Sequence, residues 1–110
     1  MGVTGLETYL VEAYLPRTSP GGPDAAAARA RAAATQMRRE GMPIRVRRSF
    51  FLPEDELWFC LYEARSADEV VEASRRAELV LGRIQKAVDI SARVNQLKGA
   101  RDEPEVDEKN

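Results

Sequence analysis

Alternating strand-like and helix-like segments in the order β-α-β-β-α-β predict an α+β protein built as a two-layer sandwich. Three observations carry that expectation. Short runs of aromatic and β-branched residues flank two segments that are free of Gly and Pro and rich in Ala or Glu. The two central runs are separated only by "PEDE", the spacing of a hairpin. Pro, Gly or a polar cap punctuates the boundaries between segments.

The first run, "ETYLVEAYL" (7–15), reads as a strand that stops at Pro16, which has no N–H to give a ladder. "PRTSPGGP" (16–23) is dense in turn formers and reads as a loop. Residues 24–40 are Ala-rich and helical, with Gly41 as the stop. Ala26, Ala30, Ala33 and Met37 form one stripe there, leaving Arg29, Arg31 and Arg38 for solvent. In "IRVRRSFFL" (44–52) Ile44, Val46, Phe50 and Leu52 share one parity, and Arg45, Arg47 and Ser49 take the other. That alternation suits a strand with one wetter face.

"LWFCLYE" (57–63) follows as the hairpin partner. Ser66 and Glu69 have capping-box spacing and open a second helix to about Glu78, striped by Val70, Ala73 and Ala77. Gly82 reads as a break, and "RIQKAVDI" (83–90) as the last strand. This is the ferredoxin-like sandwich: a four-stranded antiparallel sheet with two helices on one face. It occupies residues 7–98, closing with a helical turn anchored by Val94 and Leu97. Residues 1–6 read as a flexible lead, and 99–110, acidic and poor in apolar residues, as a disordered tail.

Strands 1 and 3 are apolar on both parities, whereas two helices cover one face only. The other face would expose an aromatic patch, the usual mark of an interface. A second copy meeting it sheet to sheet is the simplest partner, with Trp58, Tyr62 and Leu10 as contact residues.

A chain of 110 residues suffices for one domain with a modest core. Net charge of −1 disfavours general nucleic-acid binding, which needs a basic face. One Cys allows no internal disulfide and suits a reducing, cytoplasmic setting. The start lacks signal-peptide character, and Leu6 stands where a myristoylation pattern wants Ser or Thr. No apolar run approaches the roughly 20 residues of a membrane span.

No His is present, and no catalytic residue is assigned. Cys60 lies among Trp58, Phe59, Leu61 and Tyr62, none of which stabilises a thiolate, so it reads as a small buried hydrophobe. Glu12, amid an apolar strand, and Glu63 could ligate a metal, act as a base or pair with Arg45, Arg47 or Arg48. Pairing is the cheaper explanation. "DELWFCLYEA" has aromatic alternation like the third strand of an RNA-recognition motif, but lacks its Gly and leading basic residue.

Taken together, "YLVEAYLP", "RRSFFLPEDELWFCLYEARSADEVVEASRRA" and "GRIQKAVDI" resemble a family of small bacterial ferredoxin-like proteins known as nickel-responsive-protein-like. The likeness spans residues 8–90 and is strongest at Phe59, Cys60, Tyr62, Glu63, Ala64, Ser66, Val70, Glu72 and Ile84. The resemblance implies a homodimer without an established reaction that binds nickel or a related divalent ion. This chain departs from that pattern with Arg48 where family members carry a His, and with no His near Ala73. A guanidinium puts a fixed positive charge where a cation would sit. A ligand site formed by Glu12, Tyr14, Arg48 and Tyr62 should therefore take an anion or polar small molecule. The leading expectation is a non-enzymatic ligand-binding or regulatory homodimer. The alternative is a dimeric α/β-barrel monooxygenase-like or isomerase-like enzyme using the same residues around an interior cavity.

Overall fold

A computed structural model of the chain describes residues 5–91. The elements are β1 (Glu7–Tyr14), α1 (Gly22–Arg39), β2 (Arg45–Leu52), β3 (Leu57–Ala64), α2 (Ala67–Arg76) and β4 (Val80–Ala87). The strands form one antiparallel sheet in the order β2-β3-β1-β4. This is the expected α+β, ferredoxin-like sandwich. Residues 1–4 of the lead expected to be flexible, the expected turn at Val94 and Leu97, and the tail 99–110 expected to be disordered lie outside the described residues.

The core is a single layer between sheet and helices. Tyr9, Val11 and Ala13 of β1 pair with Tyr62, Cys60 and Trp58 of β3, and all six are buried. Above them lie Ala26, Ala30, Ala33, Ala34 and Met37 of α1, with Val70 and Ala73 of α2. The alanines let helix backbone approach the sheet closely, so the volume comes from Trp58, Tyr62 and Met37. Between the helices, Arg29 Nε donates to the Ala77 carbonyl at 2.8 Å, and Arg76 pairs with Glu40 of the α1 C-cap at 2.9 Å. Arg29 is thus half-buried, whereas its position outside the Ala stripe had pointed to solvent.

Several boundaries move, each for a local reason. Helix α1 starts at Gly22, because Pro23 falls in its first turn, where a missing N–H costs nothing. Helix α2 stops at Arg76, and Glu78 beyond it is left-handed with φ 59°. Its capping box is half formed. The Glu69 N–H donates to Ser66 Oγ at 3.3 Å, but the Glu69 carboxylate accepts from the Arg65 N–H, one residue before the cap. Gly82, expected as a break, lies inside β4 at the register shift opposite Glu12 and Ala13. A Cβ there would sit 3.1 Å from the Glu12 carbonyl oxygen, so Gly permits continued pairing.

Strand β2 carries the largest correction. Its register shifts between Val46 and Arg48, leaving Arg47 as the extra residue of a bulge. A bulge reverses parity. Val46 opposes core Tyr62, but beyond the bulge Ser49 and Phe51 oppose core Cys60 and Trp58. Phe50 and Leu52, expected on the same side as Val46, face the other way and are 51% and 42% exposed.

Candidate functional site: the open sheet face and its arginine edge

The face away from the helices is built by alternation. Leu10, Glu12 and Tyr14 of β1 stand beside Leu61, Phe59 and Leu57 of β3. Arg48, Phe50 and Leu52 continue the same rows onto β2, and Gln85 and Arg83 onto β4. Leu10, Leu57, Phe59 and Leu61 are half-buried by neighbouring strands alone, while Tyr14, Phe50 and Leu52 are exposed. The result is an apolar surface bearing one carboxylate in its middle row.

Of the residues expected to bind a ligand, Glu12, Tyr14 and Arg48 share this face and Tyr62 does not. Glu12 lies between Phe59 and Arg83. Tyr14, at the end of β1, donates from its hydroxyl to Glu56 at 3.2 Å, and this contact holds its pKa above the ordinary phenol value. Glu56 also accepts from the Arg17 N–H at 2.9 Å, the main cause of its lowered pKa, so this corner braces the loop after β1. Arg48 opposes Leu61 on the edge strand, with β3 between it and Glu12. Two strand spacings, about 10 Å, separate those rows. No single pocket gathers the four.

Tyr62 and Trp58 were also expected at an intermolecular contact. Both lie on the helix-covered face, 0% and 1% exposed, and belong to the core. Sequence alternation could not separate the faces, because Leu57, Phe59 and Leu61 are as apolar as Trp58, Cys60 and Tyr62. Leu10 stays on the open face. Among the described residues, the Tyr62 hydroxyl is the one buried side-chain polar atom without a hydrogen-bond partner. Burial, reinforced by neighbouring Cys60, raises its pKa.

Cys60 is fully buried, with Ser49 Oγ 3.6 Å from its sulfur. Burial pushes the thiol up to about 11, the reverse of what a nucleophile or metal ligand requires. Glu63 pairs with Arg47 at 2.7 Å. Among the described residues no group of three His, Cys, Asp or Glu side chains comes together to hold a metal, and the whole chain lacks His. The donors present do not fit nickel, which favours imidazole and thiolate.

Two cavities flank the bulge. One, of about 340 Å³, lies at the end of the open face between Thr8, Arg47, Arg48, Leu61 and Asp89. The other, of about 410 Å³, lies between α1 and β2 and is lined by Arg31, Arg38, Arg45 and Arg47 over Ala34, Thr35 and Val46. The second was missed in the sequence. Its signal was present as Arg31 and Arg38, seven positions apart on one helix face, but nothing local tied them to Arg45 and Arg47.

Among the described residues no helix is long and apolar enough to cross a membrane. The family model described as nickel responsive protein SCO4226-like matches residues 9–86. No curated protein and no solved structure matches the chain.

Proposed function

This chain belongs to the SCO4226-like family, and on that premise we propose that it is a non-enzymatic ligand-binding or regulatory protein of the cytoplasm, working as a homodimer. The observation that carries this reading is the apolar open face. Leu10, Phe59 and Leu61 are covered only by their own sheet, and Phe50 and Leu52 stand out from it. A two-fold axis brings the same patch from both copies together, and stacked sheets pack about 10 Å apart with interdigitating side chains. Glu12 shares the face with Arg48 and Arg83, so a second copy can supply opposite charges in reciprocal pairs.

The family description speaks of nickel, but the donor set here argues for a different ligand. With no imidazole, a protonated buried thiol and Arg48 on the open face, an anion or polar small molecule meeting Arg48 and Glu12 is the better chemical match. A second reading, a dimeric α/β-barrel enzyme, draws on one observation. Glu12 is central in an apolar surface, and a gap between paired sheets would enclose it as a general acid or base.

Sedimentation velocity at micromolar concentration tests the assembly. The native chain should sediment as a dimer, and Phe50→Glu as a monomer with unchanged far-ultraviolet dichroism. A native monomer under those conditions would remove the proposal. Calorimetric titration with Ni²⁺ tests the ligand class: heat with defined stoichiometry would restore the metal.

A further inference from the structure

We propose that the cleft between α1 and β2 is a binding site for a chain of phosphate groups. Arg31 and Arg38 stand about two turns apart on α1. Arg45 and Arg47, the second being the extra residue of the bulge, line the same cleft from the edge strand. Four arginines thus line a space of about 410 Å³, within the range of small-ligand sites.

Charge and hydrogen bonding both point to a multivalent anion. Guanidinium does not lose its proton to relieve crowding, so like charges gathered here repel until an anion joins them. One carboxylate, that of Glu63, is paired with a member of the group, at 2.7 Å from Arg47. Among the described residues Arg31 and Arg45 make neither an ion pair nor a side-chain hydrogen bond, so their donor forks are free. Arg38 is held in place by the Ile44 carbonyl at 2.7 Å and Thr35 Oγ1 at 3.2 Å, which fixes its guanidinium before a ligand arrives. The concentration is local, because the whole chain carries a net charge of −1. Two or three linked phosphates offer more oxygens for bidentate contacts from helix and strand than a single phosphate does.

The cleft shares Arg47 with the cavity at the end of the open face, while Arg31 and Arg38 lie on α1, on the other side of the sheet. Titration calorimetry on the full chain, with tripolyphosphate, a nucleoside triphosphate and orthophosphate as probes, decides it. One tripolyphosphate should bind per chain with micromolar affinity, orthophosphate far more weakly, and added salt should weaken both. The double variant Arg31→Gln, Arg45→Gln should lose at least about tenfold in affinity, since each fork supplies charge-assisted bonds. Its thermal melting should match or exceed that of the native chain, which separates a lost site from a lost fold. A nucleotide binding more tightly than tripolyphosphate would support the site with a nucleotide as its source. Equal affinity would support it with the phosphate chain as the whole determinant. No heat from either at millimolar concentration, or undiminished binding by the double variant, would overturn the proposal.

Discussion

Cys60 shows how one residue's neighbours decide its chemistry. Its thiol ordinarily titrates near 9.0, and burial between β3 and the helices moves it to about 11. The folded chain therefore holds a proton that the unfolded chain has released, and stability falls as pH rises from about 9 to about 11. Tyr62, raised by the same burial, adds to the loss at the upper end. Urea denaturation across that window should show a smaller alkaline loss for Cys60→Ala than for the native chain; identical slopes would contradict the buried thiol. The apolar neighbours of Cys60 made its burial legible in the sequence. The sides taken by Trp58 and Tyr62 were not, because both parities of "LWFCLYE" satisfy a hydrophobic face equally well.

Among the elements, the strands with irregularities departed most from expectation. A one-residue bulge in β2 sends Phe50 and Leu52 outward, and nothing in "RVRRSFFL" marks Arg47 as the residue that goes unpaired. Gly82 was visible, but its role depends on a strand distant in sequence. It lets β4 pass the Glu12 carbonyl at a register shift, a contact with backbone rather than a movable side chain. Gly82→Ala should therefore lower stability by about 1–3 kcal/mol, the usual cost of overpacking, in chemical denaturation. An unchanged midpoint would mean that the pairing of β1 and β4 is looser than the register indicates. The helices were easier to place. Ala26, Ala30, Ala33 and Met37 share one face by spacing alone, and Ser66 caps α2 as its position relative to Glu69 requires.

For the molecule as a whole, the two unpartnered features, the apolar open face and the arginine cleft at the α1–β2 margin, adjoin at Arg47. If the open face pairs with its copy, folding and association are linked, and the melting temperature should rise with protein concentration. Phe50→Glu should abolish that dependence while leaving the helix-covered core intact. A native melting temperature independent of concentration would argue for a monomer. By itself the sequence determined the β-α-β-β-α-β order, the helix stripes, the family likeness and the lack of imidazole, because these are set by local spacing and residue type. Only the tertiary structure decided which parity of β3 is buried, where β2 changes face, and that Arg31, Arg38, Arg45 and Arg47 line one cleft. Those outcomes depend on register between strands and on helix packing, which bring together residues that no local pattern connects.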